Sequence, residues 1–130
     1  MGVGEQFSIG ELGFGTGLNF IHSWGKWLEY APKEAQLNYF SIEKHPISPE
    51  NLSRIYKSIP EISPLSLKLL SHYPINCRGV HRLKFINDRI NLTLAFRDAK
   101  DSLEDLVKQN VYIDAWFLDG FAPKNNSDIW

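Results

Sequence analysis

Residues 7–18 read Phe-Ser-Ile-Gly-Glu-Leu-Gly-Phe-Gly-Thr-Gly-Leu: a short apolar run, an acidic residue, three alternating glycines and the start of a helical pattern. Gly13, Gly15 and Gly17 belong to the residue type that adopts positive φ freely and lets a ligand lie directly against the backbone. A helix following such a turn presents N–H groups and a positive dipole end, suited to a carboxylate or to the polar atoms of a ribose. Spacing separates two kinds of nucleotide ligand. A dinucleotide fingerprint, G-x-G-x-x-G/A, requires a small residue where Leu18 stands, so a nicotinamide-dependent oxidoreductase is disfavoured. The pattern present is Glu11-x-Gly13-x-Gly15-x-Gly17.

Three further carboxylates fall where strands should end. Glu43 closes the aromatic and apolar run Leu37-Asn38-Tyr39-Phe40-Ser41-Ile42, after enough chain for one helix and one strand. Ligands of open parallel α/β sheets sit beyond the carboxyl ends of the strands, and a carboxylate there accepts both hydrogen bonds of a ribose diol. Asp98 follows the alternating run Ile90 to Phe96. It is placed either to bond an adenine amino group, through its side chain or neighbouring backbone, or to cap a helix. Asp119 follows Ile113-Asp114-Ala115-Trp116-Phe117-Leu118, a nearly all-apolar run expected to be a central strand buried on both faces. A carboxylate at the tip of such a strand, followed by Gly120-Phe121-Ala122-Pro123, is a candidate site beside the glycine loop.

The elements that must position these groups are legible from periodicity. Leu18, Ile21, Trp24, Trp27 and Leu28 recur at near-helical spacing, which predicts a helix from Gly17 to Tyr30, ending before Pro32, with both tryptophans in the core. Ser48-Pro49-Glu50 and Ser63-Pro64 open a pair of helices instead of a single crossover. Val80 to Ile86 and Ile90 to Phe96 flank Asn87-Asp88-Arg89 as a β-hairpin whose second arm continues into the parallel sheet. Ser102 to Gln109 reads as a short amphipathic helix. The basic residues Arg78, His81, Arg82, Lys84 and Arg89 gather on the hairpin, either as a phosphate-facing edge or as a solvated strand edge that resists aggregation.

Composition bounds the rest. A chain of 130 residues is one small domain at most, and short for a complete nucleotide-binding α/β domain. With 14 Lys+Arg against 15 Asp+Glu the net charge is −1, so any nucleic-acid contact must be local. The single cysteine, Cys77, rules out an internal disulfide framework and suits a reducing compartment. The histidines, His22, His45, His72 and His81, lack metal-ligand spacing, so no metal is expected. No secretory signal, membrane-length apolar run or myristoylation pattern is read, which predicts a cytoplasmic protein.

The glycine pattern resembles motif I of the Rossmann-like S-adenosylmethionine-dependent methyltransferases. Taken with Phe40-Ser41-Ile42-Glu43-Lys44-His45-Pro46, Gly79-Val80-His81-Arg82-Leu83, Phe96-Arg97-Asp98 and the whole run from Asp114 to Trp130, it resembles the methyltransferase domain of the MnmC family of tRNA-modifying proteins. The resemblance implies an α/β three-layer sandwich with a mainly parallel sheet, present as its first four strands plus an inserted hairpin arm. Residues 1–130 would then be the N-terminal portion of one methyltransferase domain, with a further helix, a fifth strand and an antiparallel pair expected after Trp130. It also implies N-methylation of 5-aminomethyl-2-thiouridine at the tRNA wobble position, with S-adenosylmethionine as cofactor. Glu11, Gly13, Gly15 and Gly17 would line that cofactor, Glu43 would hold its ribose and Asp98 its adenine. Asp119 would face the methyl-accepting amine, and Phe121 and Pro123 would border the base. An FAD-dependent oxidoreductase domain, fused or cooperating, is the implied partner; no FAD is expected in this portion. The alternative is a remnant or interaction module that keeps cofactor-site residues without catalysis.

Overall fold

The computed structural model describes residues 6–74, 78–109 and 112–117. Its sheet is built from β1 (Gln6–Leu12), β2 (Gln36–Ile42), β3 (Gly79–Phe85), β4 (Ile90–Phe96) and β5 (Ala115–Phe117), in the order β3-β4-β2-β1-β5. Four strands are parallel, and β3 alone runs antiparallel, against β4. The expected hairpin is therefore present, with a single 3₁₀ turn at Ile86–Asp88, and its second arm does join the parallel sheet beside β2. Arg89, the residue that closes this turn, takes a left-handed conformation at φ 60° and donates to the carbonyls of Pro32 and Ala35. One member of the basic group is thus spent on holding the hairpin to the loop before β2.

Four helices complete three layers: α1 (Leu18–Tyr30), α2 (Pro49–Lys57), α3 (Leu65–His72) and α4 (Ala99–Lys108). Alternation along the strands decides which face each layer meets. Ile9, Tyr39, Leu92 and Leu83 share one row across the sheet, and with Leu37, Ile90 and Phe85 they form the floor for α1 to α3. The rings of Phe20 and Trp24, on α1, meet Tyr39 and Phe85 at centroid distances of 4.9 and 4.4 Å. Trp24 is fully buried as expected, and its indole N–H donates to Asp88 in the hairpin turn at 2.8 Å. Trp27 is only half-buried and borders an apolar cavity of about 630 Å³ between α1, β1 and Phe117. On the opposite face, α4 lies over Phe40, Ile42 and Ala95.

Two expectations need correction. The fourth helix begins at Ala99, three residues before Ser102, because Asp98 caps it: its Oδ1 accepts the N–H of Lys100 at 2.9 Å. The last strand is short and open, not buried on both faces. Ala115 is exposed, Trp116 is 42% exposed, and Phe117 is half-buried. Among the described residues β5 has one neighbour, β1, and no helix over its outer side, so its apolar composition does not translate into burial.

Candidate cofactor site

The glycine loop hangs from the junction of β1 and β2. Gly13 and Phe14 both donate their N–H groups to Ile42 O, at 2.7 and 3.2 Å, and Glu43 donates its own to Ala95 O at 2.9 Å. These bonds extend the parallel pairing past the strands, so the carboxyl ends of β1, β2 and β4 stay together where the chain turns away. Gly13, Gly15 and Gly17 all have positive φ, at 95°, 56° and 78°. A side chain at Gly17 would meet the Phe14 ring at 2.9 Å and the Tyr56 hydroxyl at 3.0 Å, so that glycine is required by contact as well as by conformation. At Gly15 the same construction meets nothing within 4 Å. The loop is therefore walled on its protein side and open above Gly15.

Glu43 leaves β2 and folds back over this loop. Its Oε1 accepts the N–H of Gly15 at 2.8 Å, and its Oε2 accepts the N–H of His45 at 3.0 Å. Each carboxylate oxygen retains a second lone-pair direction, so the group ties two loops together and still accepts from a ligand. Gly17 stands at the N-cap of α1, with no capping side chain and no acidic residue in the first turn. The first turn of the helix thus presents its N–H groups toward the loop, and the nearby negative charge comes from Glu11 and Glu43, outside the helix.

Glu11 takes a different position from the other carboxylates. It is 1% exposed, and its oxygens accept from Ser41 Oγ at 2.8 Å and from Asn19 Nδ2 at 3.1 Å. A carboxylate is costly to bury unless hydrogen-bonded, and here the bonds fasten β1 to β2 and to the first turn of α1. Glu11 supports the loop from beneath. Asp98 sits at the end of β4, half-exposed, with Oδ2 3.9 Å from Lys44 Nζ and Oδ1 engaged as the helix cap. Both readings left open by its sequence position remain compatible: the cap is formed, and the carboxylate faces solvent on the ligand side of the sheet. Asp119, Phe121 and Pro123 lie outside the described residues.

Two tyrosines complete the frame, and neither stands out in the sequence as more than a core residue. Tyr56, on α2, donates its hydroxyl to Thr16 O at 2.5 Å, gripping the glycine loop. Tyr73, just past α3, donates to Ile47 O at 2.9 Å, fixing the loop that carries Glu43. Burial, and then the charge of Glu43, push the Tyr73 hydroxyl up to about 12. Burial, and then Tyr73, push Tyr56 well above the ordinary tyrosine range. Both therefore stay protonated donors at neutral pH. A helical spacing of apolar residues announces burial but says nothing of where a hydroxyl points.

An open glycine loop, an acidic residue folded onto it and a second carboxylate one strand away meet at the carboxyl end of a parallel sheet, the place where open α/β sheets bind ligands. A family model described as S-adenosyl-L-methionine-dependent methyltransferase matches residues 60–130. The chain belongs to this methyltransferase family. It is 40% identical over 134 residues to the tRNA 5-methylaminomethyl-2-thiouridine biosynthesis bifunctional protein MnmC of Legionella pneumophila (strain Lens), covering 95% of the chain and 20% of that protein. It is 46% identical over 128 residues to the protein of the same name from Pseudomonas syringae pv. tomato, covering 98% of the chain and 19% of that protein. The methyltransferase chain thus spans about a fifth of the length of these curated relatives. Among solved structures it is similar to that of MnmC2 from Aquifex aeolicus, with a TM-score of 0.55 and 24% identity, over 97% of the chain and 36% of that structure's chain. At that identity the likeness speaks for the Rossmann-like fold. Among the described residues of this methyltransferase, no helix is long and apolar enough to cross a membrane.

Proposed function

We propose that residues 1–130 are the cofactor-holding, N-terminal portion of a methyltransferase domain that N-methylates 5-aminomethyl-2-thiouridine at the wobble position of tRNA in the cytoplasm. The observation that supports this reading is the bond from Gly15 N–H to Glu43 at 2.8 Å, which sets a carboxylate with free lone pairs beside an open glycine loop. The open space above Gly15 fits a ligand lying flat on the backbone. S-adenosylmethionine, when bound there, supplies a methyl group already activated on a sulfonium.

The chain's own residues provide placement. Glu43 accepts from the ribose hydroxyls with its remaining lone pairs, Asp98 or its backbone meets the adenine amine, and Gly13, Gly15 and Gly17 form the floor. Glu11 acts from below, through Asn19 and Ser41. Asp119 orients the acceptor amine in its neutral form by hydrogen bond, and the proton released after transfer passes to it or to solvent. Phe121 and Pro123 border the base. An FAD-dependent oxidoreductase domain, on the same polypeptide or another, exposes the amine beforehand and carries the FAD.

The test is a calorimetric titration of the chain with S-adenosylmethionine, with NAD as control and a Glu43→Ala, Asp98→Ala variant alongside. Saturable binding that the variant loses, followed by transfer of labelled methyl to aminomethyl-thiouridine tRNA, is the expected result. Binding without transfer would leave a cofactor-binding module, and binding of NAD in preference would overturn the reading.

A further inference from the structure

We propose that the outer edge of β3 is a track for the phosphodiester backbone of RNA, running from the rim of the cofactor site down the side of the sheet. The choice of RNA rests on the function proposed above; the track itself rests on charge and geometry. Arg82 and Lys84, two apart on one face of β3, and Arg78, just before the strand, are all exposed. None of them makes an ion pair among the described residues. Residues two apart on one strand face are about 6.6 Å apart, a pitch on the scale of successive phosphates in a single strand. From Arg78 to Asn87 the chain has no acidic residue, and Asp88, next in line, is turned away to Trp24 and Lys68.

Register gives the row its direction. Gly79 pairs with Phe96, so Arg78 stands at the carboxyl end of β4, the end that carries Asp98, while Arg82 and Lys84 lie beside Thr93 and Asn91. Arg82 and Arg97 border the same cavity of about 160 Å³ over the sheet. Ser102, 5% exposed, lines that cavity with a hydroxyl that has no hydrogen-bond partner among the described residues. Two guanidinium groups and a hydroxyl waiting for an acceptor suit a phosphate at this point on the edge. Arg97 is shared with Asp105 at 2.5 Å, so the attraction falls chiefly on the other three cations.

The experiment is anisotropy of a labelled, unmodified tRNA transcript titrated with the full chain at several salt concentrations. Removing two phosphate contacts with Arg82→Gln, Lys84→Gln should weaken binding and shallow the slope of log K against log salt by about 1.5. Arg82→Lys, Lys84→Arg should restore the slope. Lys26→Gln, Lys33→Gln, placed on the second half of α1 and in the loop that enters the amino end of β2, should leave it unchanged. No binding of tRNA, an unchanged slope in the edge variant, an equal loss in the distant one, or displacement of the tRNA by polyglutamate at equal charge would overturn the proposal. Calorimetry with S-adenosylmethionine on the same variants separates the two readings. A silent titration with an intact edge effect would sink the cofactor assignment alone, and the reverse would sink the track alone.

Discussion

The carboxylate of Glu43 and the backbone N–H of Gly15, 28 residues apart in sequence, meet at 2.8 Å. This bond makes the carboxylate of Glu43 and the glycine loop one unit. Glu43→Gln keeps the shape but removes the charge, and an amide that accepts through Oε1 can only donate through its nitrogen, where His45 N–H also donates. Hydrogen bonds to a charged group contribute about 1.5–3 kcal/mol, so S-adenosylmethionine affinity should fall about 10- to 100-fold by calorimetry. Unchanged affinity would remove Glu43 from the ligand's surroundings.

Gly15 and Gly17 should respond differently to alanine. Both need positive φ, which costs a non-glycine residue about 1–2 kcal/mol. At Gly17 the methyl group also strikes Phe14 and the Tyr56 hydroxyl, loosening the grip on Thr16. Urea denaturation should show a loss of about 1 kcal/mol for Gly15→Ala and roughly 2–4 kcal/mol for Gly17→Ala. Equal losses would mean that the contact at Gly17 relaxes freely.

Asp98 has two roles that substitution can separate. Asp98→Ala removes the cap of α4 and should cost about 1 kcal/mol, while Asp98→Ser keeps a capping oxygen and most of that stability. If the carboxylate also meets the adenine amine, both variants should bind S-adenosylmethionine more weakly. A serine variant with full affinity would confine Asp98 to the cap.

Alkaline stability should report the two tyrosines. The folded state holds the Tyr73 proton to about 12, while an unfolded tyrosine releases its proton near 10. Between these values the native state binds more protons, so stability should fall as pH rises from about 10 to 12. Tyr56 adds in the same direction. Tyr56→Phe, Tyr73→Phe should flatten this part of the denaturation profile, and an unaltered profile would place the titrating groups elsewhere.

Most of the frame was legible because it depends on local chemistry. Ser48 and Pro49 start α2 where the sequence puts a helix, and the glycines, Glu43 and Asp98 all lie at strand ends. What escaped was set by distant neighbours. The apolar run of β5 predicts burial, but burial needs a layer on each side, which no stretch of its own residues can provide. The amphipathic pattern of α4 marks the packed residues and misses the first turn, which the Asp98 cap creates without an apolar contribution. Glu11 reads as a ligand-facing acid, and only the register of β1 on β2, which sets it opposite Ser41, turns it inward.

The reciprocal bonds between Ser8 and Asp114, N–H to carboxylate at 2.7 Å and N–H to carbonyl at 2.8 Å, join positions 106 residues apart. In a chain emerging from the ribosome, β1 can align with β2 early, but its other side has no partner until β5, which pairs across a separation of 106 residues, has been made. Closing so long a loop carries a large entropic cost, so β5 should dock after β1, β2 and β4 have paired. Until then β1, an inner strand of the finished sheet, is, in time, an edge.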